Sequence, residues 1–359
     1  MSSLETVPVL SLFSGCGGLD LGFLREGFQV LLALDSNATA VKTYNHNHGE
    51  GVAQKIDLAD HDGQDVLRLL RERNAAVTLR GVIGGPPCQP FSLGNVTNNP
   101  TNGLRRTLPA RYAMILRSLN DLYDLDFFVF ENVEGITYEK HRRDFALFKT
   151  LFEDAGFKIF EGLLDAKDFG VPQKRPRMFV VGWNREKYGS WDFVFPGATQ
   201  TQELTVANAI SGLAEPVFYR RDLAAADFTV HPNHWTMQPK SKRFWDGSLF
   251  EGHTRGRSFR VLEWNKPSWT VAYGNREIHI HPSGTRRLSI YEAMLLQGFP
   301  SDYELLGNLS EQVHQVSDAV PPPLASALAR SIRLFLEGDE SVRVPTSRQM
   351  DLPLPKNGS

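Results

Sequence analysis

The stretch VPVLSLFSGCGGLDLGF, residues 7–23, decides the fold. It opens with an apolar, strand-like run at Val7–Phe13, turns through Ser14-Gly15-Cys16-Gly17-Gly18, and continues as an amphipathic helical pattern over Leu19–Glu26. A buried strand, a glycine turn and a helix in that order begin a β–α–β unit. Glycines at such a turn let the backbone approach a ligand, and the helix N-terminus favours polar or anionic groups. Against the pattern G-x-G-x-x-G the turn supplies Gly15 and Gly17 but has Asp20 at the third glycine, which argues against a dinucleotide-phosphate cradle. A tight turn with solvent-facing carboxylates is the alternative on spacing alone. Cys16 reads as a small buried hydrophobe within the turn.

Outward from this unit the same alternation continues. Candidate strands are Val30–Asp35, Gln54–Leu58, Gly81–Gly84, Phe127–Glu131, Phe157–Leu164 and Met178–Val181, with candidate helices at Ala38–Asn45, Asp65–Arg73, Tyr112–Leu122 and Asp144–Ala155. The pattern predicts an α/β fold with a doubly wound, mostly parallel sheet. After Gly182 tryptophan, histidine, proline and basic residues become frequent and the alternation fades, until helical patterns return at Ser289–Gln297 and Leu324–Leu336. This predicts a discontinuous first domain, residues 1–185 plus 315–337, a smaller irregular domain over 186–314, and a mobile tail over 338–359.

Composition excludes several classes. Hydrophobic residues make up 41% of the 359 residues, the share of a folded globular protein. The longest apolar runs are a handful of residues, against the roughly 20 that a membrane helix needs. The N-terminus has no basic n-region, and a cytoplasmic location without membrane association is expected. Two cysteines, Cys16 and Cys88, make a disulfide framework implausible. The net charge of −2 predicts no polyanion partner globally, so a nucleic-acid surface has to be local.

Three places carry candidate chemistry. Asp35 ends the second strand, where its carboxylate can accept from ribose hydroxyls, and Asp57 ends the third, where it can accept from an adenine amino group. These acceptors suit a nucleoside cofactor with little phosphate. Next, GGPPCQPFS, residues 84–92, places Cys88 after an apolar strand, with glycines giving clearance and prolines restricting φ. That arrangement presents a nucleophilic thiol; a structural cysteine in a proline-rich turn is the alternative. Finally, Glu131 ends the neighbouring strand on the same rim, while Arg175 and Arg177, two apart in an extended segment, point the same way unless they serve in structural salt bridges.

Taken in order, LSLFSGCGGLDLGF, GGPPCQPFS, FENVEG, DAKDFGVPQKRPRMFVVG, RRLSIYEAMLLQGFP and QVSDAVPPPLASALA resemble the motifs of the cytosine-5 DNA methyltransferase family of bacterial modification type. The resemblance leaves out about residues 186–257, where that family carries its target-recognition region. It implies a Rossmann-like methyltransferase fold and S-adenosylmethionine as methyl donor, released as S-adenosylhomocysteine. Phe13, Gly15, Gly17, Gly18, Asp35, Asp57, Leu58, Pro87, Leu108, Asp318 and Val320 are then the cofactor residues. Cys88 becomes the nucleophile for C6 of cytosine and Glu131 the contact to N3, with Arg175 and Arg177 holding the base or the loop around it. The chemistry requires such groups, because C5 becomes nucleophilic only after a thiolate adds at C6. Glu131 then has to share a proton with N3, which predicts a raised carboxyl pKa.

A base inside a duplex cannot reach a thiol in a pocket, so the target nucleotide has to leave the stack. Double-stranded DNA is the implied partner, with Gln89, Ser92, Arg105, Arg106, Lys240, Lys242, Arg243, Arg255 and Arg257 as candidate contacts and the loop over 95–111 as a mobile cover. His231, His234 and His253 lack tight ligand spacing, so no metal is assigned. A monomer is the expected state, and a cognate restriction or defence system a conceivable partner. The last motif departs from the family, with Ser317-Asp318 standing where Gly-Asn is usual. The rival readings are a transfer-RNA methyltransferase of the same family, a silent DNA-binding relative, and a nicotinamide-dependent dehydrogenase resting on the first turn alone.

Overall fold

The computed structural model describes residues 6–73, 78–87, 108–200, 202–220, 222–254, 259–270 and 279–346. Cys88, Gln89, Ser92, Arg105, Arg106, Arg255 and Arg257 therefore lie outside the described residues, as does most of the expected cover loop.

Seven strands form the main sheet: β1 (Val7–Leu12), β2 (Phe28–Asp35), β3 (Ala53–Lys55), β4 (Gly81–Gly84), β5 (Phe127–Val133), β6 (Phe157–Asp165) and β7 (Pro176–Asn184). Their order is β3-β2-β1-β4-β5-β7-β6. Pairings from β3 through β5 are parallel, and β7 runs antiparallel to both β5 and β6. Successive side chains on a strand take opposite faces. Accordingly Val7, Val9, Phe127, Val129 and Val181 enter one buried cluster, and Leu10, Leu12, Phe128, Phe130 and Val180 enter another.

Helices cover both faces. Helix α1 (Gly18–Arg25) and α2 (Ala38–His48) flank the first cluster, while α3 (Gly63–Arg73), α4 (Leu108–Tyr123) and α5 (Arg142–Asp154) pack on the second. Beyond the sheet come α6 (Ile290–Leu296), α7 (Leu309–Asp318) and α8 (Pro322–Glu337). Helix α8 returns to the first cluster, where Phe335 stacks on Trp183 at 3.8 Å between ring centres. The close crossing of α1 and α8 requires glycine: a Cβ on Gly22 would lie 2.4 Å from the Ala325 Cβ.

Two helix starts follow from sequence. Ser289 and Glu292 form a reciprocal capping box at α6, and Asn308 and Glu311 form another at α7. Arg286 grips the buried Glu292 with both terminal nitrogens, at 2.9 and 3.0 Å. Helix α7 was not anticipated. Its sequence LSEQVHQVSD is largely polar, and the capping box is its clearest local signal.

The expected tail is a correction. Residues 343–345 pair antiparallel with Trp191–Phe193, Val342 is buried, and the Arg343 guanidinium lies 4.5 Å from the Trp191 ring centre. Residues 338–346 therefore pack on the sheet domain, and so does the strand 191–193 that the boundary at residue 185 had assigned elsewhere. The irregular part has its own small cluster of Phe244, Leu249, Val261 and Ile280, and Val206, Ile210 and Leu288 join Cys16, Phe299 and Ala319 in a third.

Candidate active site

The parallel strands β1, β2, β4 and β5 all end at one edge of the sheet, and antiparallel β7 starts there. That edge is where open α/β sheets bind ligands. It gathers Phe13, Asp35, Gly85, Glu131 and Arg177 from segments far apart in sequence.

At the first turn, Phe13, Gly15 and Gly17 have positive φ values of 56°, 54° and 91°. The Gly15 N–H donates to Asp35 Oδ2 at 2.8 Å, and the Asn37 N–H donates to Oδ1 at 2.7 Å. Each carboxylate oxygen keeps acceptor capacity beyond that one bond. Burial raises the Asp35 carboxyl, and the two backbone donors hold part of that rise back. Gly18 is pressed against the 319–320 turn, where a Cβ would come 2.5 Å from the Val320 carbonyl oxygen. Asp57 is exposed and accepts from the Ala59 N–H at 3.0 Å, whereas the adjacent Leu58 is buried. Pro87 is exposed and Leu108 is buried at the first position of α4.

Beside this turn Glu131 is 8% exposed and pairs with Arg177, whose Nε lies 3.0 Å from Oε1. The register explains the contact: Arg177 opposes Val133 and Glu131 opposes Phe179, so the two are diagonal neighbours on one face. Burial pushes the Glu131 carboxyl above its ordinary value, while the guanidiniums of Arg177 and then Arg175 oppose the rise. The direction is the one expected from the sequence. A Cβ on Gly85 would stand 2.5 Å from Glu131 Oε2, so the backbone three residues ahead of Cys88 runs against this carboxyl.

Arg175 is fully buried and aims elsewhere than Arg177. It donates to the Ala319 carbonyl at 2.9 Å and to the Ser317 carbonyl, bracing the turn that carries Asp318 and Val320. Asp318 itself is raised chiefly by burial, with His314, Arg175 and Arg177 opposing. Cys16 is 2% exposed and burial pushes its thiol up to about 12, as befits a packing residue.

Sequence reading missed the polar layer under the turn. Asp20 is completely buried, its Oδ1 accepts from the Tyr44 hydroxyl at 2.9 Å, and burial raises its carboxyl to about 6. Its signal was a carboxylate on the face that helical periodicity assigns to the core, beside Leu19 and Phe23. In the irregular part Lys240 and Lys242 are exposed, while Arg243 lies 4.4 Å from the Phe259 ring centre and 3.3 Å from His253 Nε2. His234 bonds Ser289 and the Ala214 carbonyl, and His231 stacks on Tyr291.

The fold is thus an α/β sheet whose ligand-binding edge carries a carboxylate at the end of β2 and a buried acid–guanidinium pair between β5 and β7. The model of one family, the C-5 cytosine-specific DNA methylases, matches residues 7–334, and the chain belongs to that family. It is accordingly an enzyme, a DNA cytosine-5 methyltransferase. The Type II methyltransferase M.MthTI of Methanothermobacter thermautotrophicus is 31% identical over 92% of this chain and 98% of its own length. M.FnuDI of Fusobacterium nucleatum, also a Type II methyltransferase, is 30% identical over 94% and 97%. Among solved structures, a prophage-encoded DNA modification methyltransferase candidate from E. coli superposes with a TM-score of 0.74 at 23% identity, covering 92% of this chain and 99% of that one, a likeness of fold. Among the described residues no helix is long and apolar enough to cross a membrane.

Proposed function

We propose that this enzyme transfers a methyl group from S-adenosylmethionine to C5 of a flipped-out cytosine in a specific duplex sequence, through a covalent bond between Cys88 and C6. The observation that carries the reading is the buried Glu131–Arg177 pair, with the backbone of Gly85 laid against Glu131 just ahead of Cys88.

The residues at the first turn fit a nucleoside methyl donor. Asp35 offers acceptors to a vicinal diol, and the positive-φ turn exposes backbone to a ligand. Phe13, Gly15, Gly17, Gly18, Asp35, Asp57, Leu58, Pro87, Leu108, Asp318 and Val320 would hold it. When bound, the donor supplies an electrophilic methyl group.

Everything else falls to the protein. Cys88 as thiolate forms the bond to C6 while Glu131, holding a proton, donates it toward N3, so that the electron pair displaced from the C5–C6 bond is available at C5. Arg177 keeps Glu131 oriented. After methylation a base removes the C5 proton, the C5–C6 double bond re-forms, the thiolate departs from C6 and N3 returns its proton to Glu131. Arg175 acts at one remove, fixing the 317–319 turn against the glycine turn.

Duplex DNA is gripped by local basic surface, with Lys240 and Lys242 among its contacts. The Type II relatives support a place beside a restriction endonuclease. Oligonucleotides carrying 5-fluorocytosine at the methylated site test the chemistry, because fluorine at C5 cannot be removed as a proton and the adduct persists. A donor-dependent covalent complex that vanishes in Cys88→Ser is expected. Absence of any complex, or methyl transfer to transfer RNA in place of duplex DNA, overturns the proposal.

A further inference from the structure

The glycine turn is held from below by a side chain distant in sequence. The Tyr303 hydroxyl donates to the Cys16 carbonyl and lies 3.0 Å from His48 Nε2. Burial lowers His48 to about 4, so its ring is neutral at working pH. With the proton on Nε2, His48 donates to the Tyr303 oxygen and Tyr303 donates onward, a chain of two bonds that points the hydroxyl at the turn.

The carbonyl that receives it belongs to the Cys16–Gly17 peptide. The opposite side of that planar unit, the Gly17 N–H, donates to the Ser14 carbonyl at 3.0 Å. The peptide is thus held on both sides. Gly17 is also seated against the histidine, since a Cβ there would lie 2.5 Å from His48 Nε2.

Tyr303 is in turn anchored by its neighbours. Asn47 brackets Glu304 through its backbone at 2.8 and 3.0 Å, Thr43 Oγ1 accepts from the Leu306 N–H at 2.9 Å, and Asn233 brackets Leu305 at 2.8 Å on both sides. The segment bearing Tyr303 is thus clamped between α2 and the irregular part of the chain.

We propose that Tyr303 is a positioning residue of the methyl-donor site, its hydroxyl, oriented by His48, setting the Cys16–Gly17 peptide and with it the glycine turn that receives the donor. The inference rests on the proposed donor reading. It assigns Tyr303 no contact with the donor or the cytosine.

The test measures S-adenosylhomocysteine binding by calorimetry, and KM and kcat for both substrates, in the full-length enzyme. Tyr303→Phe keeps the ring packing and removes only the hydroxyl. Loss of one buried hydrogen bond of ordinary net strength predicts roughly three- to tenfold weaker binding and a matching rise in donor KM, with DNA KM unchanged and kcat within about twofold. His48→Gln retains an N–H donor and should stay near wild type, whereas His48→Leu should follow Tyr303→Phe. Wild-type affinity in Tyr303→Phe, or parallel changes in donor and DNA KM, overturns the inference alone. Failure of the wild-type enzyme to bind S-adenosylhomocysteine overturns the donor reading, and the inference falls with it.

Discussion

Glu131 shows how position changes the protonation of a single residue. On a strand end in water it would be an ordinary carboxylate; here burial favours its neutral form and Arg177 opposes that only in part. A raised carboxyl is protonated below its shifted pKa, so turnover that depends on that proton falls as pH rises through it. Removing Arg177 takes away a cation that lowers the value. In Arg177→Gln the alkaline fall of the pH–rate profile should therefore move to higher pH, even as the maximal rate drops. Glu131→Gln should lower kcat by about 10²–10⁴-fold, the range for a lost general acid, with donor binding retained. A fall below tenfold would remove Glu131 from the proton's route. Glu131 and Arg177 were both legible in sequence, through strand ends and alternation. The different aim of Arg175 was not, because it depends on the 317–319 turn brought in from the far end of the chain.

Among elements, α1 illustrates both what periodicity reveals and what it hides. Its core face was readable from Leu19 and Phe23, and its N-terminal glycines from the turn. The partner of that face, α8, is not local, and the requirement for glycine at position 22 appears only when the two helices cross. Gly22→Val should destabilise the protein by about 1–3 kcal/mol in chemical denaturation, the usual cost of overpacking. The buried Asp20 on the same helix has an equally direct consequence. Its folded value of about 6 stands above the ordinary 3.8, so the folded protein keeps a proton that the unfolded chain gives up between those values. The associated stability is fully present below about pH 4 and is lost as pH rises through 6, about 3 kcal/mol in all. Asp20→Asn keeps an acceptor for Tyr44 and removes the titration. Its melting temperature should gain on the wild type by several degrees between pH 4 and 7; parallel curves over that range would contradict the burial.

For the whole molecule, sheet order and domain boundaries mark the limit of legibility. The alternation of strand and helix predicted a doubly wound sheet, and strand-end positions put Cys88 and Glu131 on one rim of it. That Pro176–Asn184 inserts antiparallel between β5 and β6, and that 343–345 pairs with 191–193, depends on long-range pairing with no local signature. Charge is also a property at this scale. With a net charge of −2, attraction to DNA has to come from local clusters of basic residues. Replacing Lys240 and Lys242 together by Gln should weaken binding across sequences and flatten the dependence of log K on log salt by about 0.9 per lost phosphate contact. An unchanged slope would place the duplex on another face.

The crossing of α1 with α8 also has a consequence in time. A ribosome completes the seven strands long before it makes the helix that covers one of their faces, a delay on the order of ten seconds at common elongation rates. During that interval Phe23, Phe127 and Trp183 belong to a nascent chain whose greasy side is bare, so chaperone depletion should reduce the yield of active enzyme more than it reduces the stability of enzyme already made.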